Sequence, residues 1–115
     1  MKFTVKVDLK NVSRKNEKFS KEGQFLFSSE VLKDSNYFAP QDTGNLIASS
    51  HRSSNLEQGQ IVWDTPYAKK LYYNPQYNFS KDKNPNARGL WFEVAKSHFL
   101  SRWIDVLNNL RNKTY

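Results

Sequence analysis

From residue 92 to residue 110 the large apolar side chains recur at steps of three, four, four, three and four: Phe92, Ala95, Phe99, Trp103, Val106 and Leu110. That spacing keeps one face of a 3.6-residue helix apolar, while Lys96, Arg102, Asp105, Asn109 and Arg111 decorate the other side. A helix over Leu90 to Arg111, roughly 30 Å long, is therefore predicted, and the rest of the chain must cover its stripe of rings. With 115 residues there is room for one domain to do so. The material is aromatic, with eight Phe, six Tyr and three Trp. Leu, Ile, Val and Phe make up about a quarter of the chain, above the range of disordered sequences. We expect one domain spanning 1–115, with a small core built on large rings.

The other elements follow from shorter signals. Lys2 to Leu9 alternates, placing Phe3, Val5, Val7 and Leu9 on one face of a half-buried strand. Between Arg14 and Phe38, the residues Phe19, Gly23, Leu26 or Phe27, Val31, Asp34 and Phe38 fall three and four apart, predicting a long helix that Pro40 stops. Asp42-Thr43-Gly44 reads as a structural turn, followed by a short helical turn over Leu46 to Ser50. Residues 51–54 and 60–64 flank a polar stretch and predict a hairpin whose second strand centres on Ile61-Val62-Trp63. Thr65-Pro66 offers an N-cap and a first-turn proline for a short helix ending at Tyr73. Residues 74–89, rich in Asn and Pro, predict a long exposed loop of the kind that is functional or ordered by a partner. The fold class is α+β: a small antiparallel sheet packed against a long N-terminal helix and a long C-terminal helix.

Several chemistries lack their residues. The chain has no cysteine, so it has no disulfide scaffold, thiol nucleophile or Cys-ligated metal. His51 and His98 are 47 residues apart and show no ligand spacing. Neither a phosphate-cradling glycine loop nor a nucleophile elbow occurs. Asp-Thr-Gly at 42–44 is also the catalytic triplet of aspartic proteases, which pair two such carboxylates across a dimer. There the triplet caps an apolar strand; here Ala39-Pro40-Gln41 precedes it, directly after a helix. A turn anchored by Asp42 is the better reading. The N-terminal residues lack the apolar run of a signal peptide, and no stretch approaches the ~20 apolar residues of a membrane span. We expect synthesis and folding in a cytoplasm, with no membrane partner.

Charge narrows the partners. The net charge is +7, and residues 65–115 carry nine Lys or Arg against three Asp or Glu. That balance suits nucleic acid or an acidic protein surface. Within it, Tyr67, Lys69, Lys70, Tyr72, Tyr73, Tyr77 and Phe79 interleave rings with ammonium groups. The pattern fits bases stacked on rings, a short helix using Tyr67 and Leu71 as core, or an aromatic rim at a protein interface.

Three motifs in order carry a resemblance: Asp42-Thr43-Gly44-Asn45-Leu46-Ile47-Ala48-Ser49, then Thr65-Pro66-Tyr67-Ala68 with Tyr72-Tyr73, then Trp91-Phe92-Glu93-Val94-Ala95-Lys96. In this order and spacing the chain resembles the minor capsid, or head–tail connector, proteins of long-tailed phages that infect Gram-positive bacteria. One departure is Ile47, where relatives often carry Arg. The resemblance covers nearly the whole chain and implies a structural protein, with no catalytic residue, metal or cofactor. It implies a virion protein of the phage neck, assembled in the host cytoplasm as a subunit of an oligomeric ring that joins the DNA-filled head to the tail. The implied partners are further copies of itself (a homo-oligomer) and the neighbouring head-completion or adaptor and tail-terminator proteins, with non-specific contact with passing DNA. On that basis Tyr67, Lys69, Lys70, Tyr72, Tyr73, Tyr77 and Phe79 are the expected subunit interface, and the outer side of the 90–111 helix an expected basic face. The competing expectation, from charge, is a small basic nucleic-acid-binding module whose affinity falls steeply with salt.

Overall fold

The computed structural model describes residues 1–6, 17–41, 44–77, 79, 81 and 84–114, with the side chains of 17–20 and 111–114 outside the description. The elements are strand β1 (Lys2–Thr4), helix α1 (Glu17–Tyr37), helix α2 (Asn45–Ser53), a 3-10 turn (Leu56–Gln58), strand β2 (Gln60–Val62), helix α3 (Ala68–Tyr72) and helix α4 (Trp91–Thr114). Two strands and two long helices make this the α+β arrangement that the periodicities predict.

α4 buries Trp91, Ala95 and Trp103 completely and Phe92, Phe99, Val106 and Leu110 in part. Trp91, one residue ahead of the expected stripe, joins a cage of rings with Phe3, Trp63 and Tyr72. Centroid separations there are 5.7 Å for Trp63–Trp91, 4.7 Å for Tyr72–Trp91 and 5.2 Å for Phe3–Tyr72. The two tryptophan pairs, Trp63–Trp91 and Tyr72–Trp91, are edge-to-face, an arrangement that adds about 0.5–1.5 kcal/mol each beyond area burial. α1 turns Gly23, Phe27, Val31, Asp34 and Phe38 inward or half-inward, as its spacing predicts. It ends by tightening: the Phe38 and Ala39 amides donate to Ser35 and Asn36 at 3.0 and 3.2 Å, just ahead of Pro40.

The expected hairpin is not there. Residues 51–53 belong to α2, and β2 pairs instead with β1, antiparallel, in the register Lys2 to Val62, Phe3 to Ile61 and Thr4 to Gln60. The serines decide it. Leu46, Ser49 and Ser50 form the buried face of α2, and the hydroxyls of Ser49 and Ser50 donate to Leu46 and Ile47 carbonyls, both at 2.6 Å. Satisfied this way, hydroxyls can be buried at a helix surface that sequence reads as polar. The turn at 55–60 does close, through reciprocal Asn55–Gln60 backbone bonds of 2.8 and 2.9 Å and Gly59 at φ +70. β1 stops at Thr4, with Val5 still bonded through its amide to Gly59 at 2.7 Å. Val7 and Leu9 lie outside the described residues.

Polar side chains tie the layers together. Trp63 Nε1 donates to Asn36 Oδ1 at 2.9 Å, and Asn36 Nδ2 donates to Ser50 Oγ at 2.9 Å, joining β2, α1 and α2. Between the long helices, buried Asp34 of α1 accepts from Trp103 Nε1 at 2.7 Å and from Arg102, which also reaches Glu30 at 3.1 Å.

Candidate assembly surface

α3 is shorter than expected. Thr65 and Pro66 sit in a turn closed by the Ala68 amide on the Thr65 carbonyl at 3.1 Å, and helix begins only at Ala68. Five helical residues present two faces. Ala68 and Tyr72 point inward, and Tyr72 is 0% exposed; Lys69 and Lys70 point out, and Tyr73, at the C-cap, is 53% exposed. Tyr72 therefore leaves the expected interface and joins the core, because consecutive residues on a helix point about 100° apart. Tyr67 and Tyr77 are exposed, while Phe79 is half-buried with its ring 6.4 Å from Tyr77.

Within the segment expected as an exposed loop, residues 84–89 are strapped to the body. Asn84 Nδ2 donates to the carbonyls of Tyr37 and Ala39, both at 2.8 Å, and Asn84 and Ala87 are buried. The Arg88 amide donates to Phe38 at 3.0 Å and the Leu90 amide to Tyr72 at 2.9 Å. Gly89 packs so closely on α3 that an added Cβ would stand 2.9 Å from Pro75 Cα and 3.1 Å from the Leu71 carbonyl. Asparagine and glycine here anchor a loop to helix ends. Gly89 thus holds the backbone on either side of Tyr73, at Leu71 and Pro75. Arg88 lies over the Phe38 ring at 5.4 Å, and Lys81 Nζ donates to Ala87 at 3.1 Å.

Among the described side chains the outer side of α4 is mixed in charge rather than basic, the side chain of Arg111 lying outside the description. Arg102 is committed to Asp34 and Glu30, and Lys96 is accompanied by exposed Glu93, Leu100, Ile104 and Asp105. Of the expected turn, Gly44 is described, left-handed at φ +78 and capping α2; Asp42 and Thr43 lie outside the described residues.

Among the described residues Glu30, Asp34 and Asp64 are held in ion pairs. Lys33, hydrogen-bonded to Glu30 at 2.7 Å, and Arg102 beside it hold the Glu30 carboxyl below its ordinary value. The Ser53 hydroxyl, then Arg52, does the same for exposed Asp64. His51 stands on α2 at a shallow groove with Ser29, Leu32 and Lys33, whereas His98 stacks on Phe38 at 5.6 Å. Among the described residues no cluster of three or more His, Asp or Glu is placed to hold a metal, and no helix is long and apolar enough to cross a membrane. The sequence reading missed the Asp34–Arg102–Trp103 clamp. Its signal was present: a carboxylate on the inward face of a predicted helix requires a buried donor.

A family model described as minor capsid protein matches residues 3–110 of the chain. No curated protein and no solved structure matches it.

Proposed function

The chain belongs to the minor capsid protein family, and from that premise we propose that it is a structural subunit of the phage neck, one copy in an oligomeric ring between head and tail. The observation that carries this reading is the surface built by α3 and the segment after it. Tyr67, Tyr73 and Tyr77 stand exposed with Lys69 and Lys70, on backbone against which Gly89 is closely packed. Large rigid rings presented without an ordering cost are what protein interfaces are built on. Neighbouring copies, and the adaptor and tail-terminator proteins on either side, are the partners in this reading. It requires a discrete oligomer, so light scattering across protein concentration tests it. A ring-sized mass is the expected result; a monomer at every concentration refutes it.

A second reading, contact with DNA, is favoured by one observation: Lys69, Lys70, Lys81 and Arg88 fall in 65–91, where no described residue is acidic. Lys81 and Arg88 are already engaged with the chain's own groups. Among the described residues of this segment that leaves Lys69 and Lys70, which contribute about −2 to a log–log salt slope on duplex DNA. A slope much steeper would move the function towards nucleic acid.

A further inference from the structure

Among the described residues, glycines aside, Leu90 alone has a positive φ, at +52. Its carbonyl accepts the Val94 amide at 2.9 Å, which makes it the N-cap of α4. That position ordinarily takes extended backbone and a small polar side chain. Here an aliphatic residue is left-handed, its Cβ crowding the backbone, at a cost of roughly fivefold to thirtyfold in population. Such a residue persists where its surroundings over-determine it. The Leu90 amide donates to the Tyr72 carbonyl at the end of α3, at 2.9 Å, and the Arg88 amide donates to Phe38 at 3.0 Å. Between them Gly89 lies against Leu71 and Pro75 with no room for a Cβ.

The cost is not confined to Leu90. Tyr72 buries its hydroxyl without a partner, and Trp91 buries its indole N–H in the same way; the two rings meet edge-on at 4.7 Å. Each orphaned buried donor raises the energy of the conformation that holds it. One left-handed leucine and two orphaned groups thus fall on three adjoining residues, since Leu90 bonds Tyr72 and precedes Trp91. Strain of this kind clusters at clamps and switch regions. A second setting adjoins the first: at a φ of about −60° Leu90 extends α4 by one residue, which takes its amide off Tyr72 and lifts Gly89 from α3.

We propose that Gly89–Leu90 is a strained latch governing the α3 surface. Closed, it pins α3 at the Tyr72 carbonyl and at Leu71 and Pro75, fixing Tyr73, Lys69 and Lys70 for docking. Released, it lets α3 move relative to α4. Its role, though not its strain, rests on the reading of α3 as the assembly surface.

The strain is tested by comparing Leu90→Gly with Leu90→Ser, which both remove the leucine side chain. Only glycine adopts φ +52 freely, whereas serine is the better cap in ordinary N-cap geometry. Urea unfolding should give the glycine variant the larger folding constant, by about threefold or more; serine equal to or above glycine overturns the proposal. The second setting is tested by amide hydrogen exchange on the wild-type chain, where the Leu90 amide should exchange at least tenfold faster than amides in the middle of α1 and α4. Exchange at Leu90 only together with that core overturns the latch. The hold on α3 is tested by Gly89→Ala, whose Cβ stands 2.9 Å from Pro75 Cα. Exchange should quicken at Leu90 and also at Tyr73, whose amide closes α3 on the Lys69 carbonyl at 3.0 Å, and light scattering should show a lower mass than wild type. If Gly89→Ala does not fold, Leu90→Gly serves in its place with the opposite sign, slowing exchange at both amides. A change at Leu90 that leaves Tyr73 untouched overturns the hold on α3. Wild type that stays monomeric at every concentration removes the ring and leaves the latch to be decided by exchange.

Discussion

Asp34 joins the two long helices, and its removal has a cost that the geometry allows to be worked out. The carboxylate accepts from Trp103 Nε1 at 2.7 Å and from Arg102, with its side chain only 10% exposed. Asp34→Ala leaves the buried indole N–H without an acceptor, about 1–3 kcal/mol. Arg102 is 42% exposed and still has Glu30, so the lost ion pair adds no more than about 1 kcal/mol. The expected total is roughly 3 kcal/mol, which at a urea m-value of about 1.5 kcal/mol/M lowers the midpoint by roughly 2 M. Asp34→Asn keeps an oxygen acceptor for Trp103 and forfeits only the charge, about 1 kcal/mol. Urea unfolding followed by Trp fluorescence, with m held constant, measures both. If the two variants are equally destabilised, the charge and not the indole bond dominates and the reasoning is wrong. If Asp34→Ala costs less than about 0.5 kcal/mol, no clamp exists.

Tyr72→Ala should destabilise the fold by about 3–5 kcal/mol, as for other buried aromatics, while Tyr73→Ala changes stability by under about 0.5 kcal/mol and loosens self-association. Chemical denaturation beside light scattering separates the two, and equal stability effects would contradict the inward and outward assignment. Glu30 has its folded pKa depressed by Lys33 and Arg102, so its stabilising contribution is present above the unfolded carboxyl pKa and is lost as pH falls through the folded one. Stability measured from pH 7 to pH 3 should therefore fall less steeply in Glu30→Gln than in wild type. Identical profiles would remove Glu30 from the acid response.

What sequence could reveal divides along the length of the periodic signal. α4 holds its pattern over five turns, enough to fix its phase, and α1 does so despite polar residues in its stripe. α3 has five residues and α2 nine, and in so short a window a helix cannot be phased by apolar spacing. Hence apolar spacing alone does not sort Tyr72 and Tyr73 into core and surface. α2 is legible as a helical turn over Leu46 to Ser50, but its last residues, His51 to Ser53, carry no apolar side chain to extend the period and read as strand. The partner of β2 was lost for a different reason, since strand pairing across nearly sixty residues leaves no local trace.

That long-range pairing governs how the molecule comes into being. Residues 2–4 acquire their sheet partners only after residues 60–62 have been made, and the amino terminus itself bonds the Trp63 carbonyl at 3.1 Å. Closing a segment of that length carries an entropic cost of roughly 3–4 kcal/mol in its length-dependent part. The ring cage that rewards closure also needs Tyr72, Trp91 and Phe92. Strand β1 therefore stays unpaired until residues 60–62 are in place, and its ring contacts are complete only with Trp91 and Phe92.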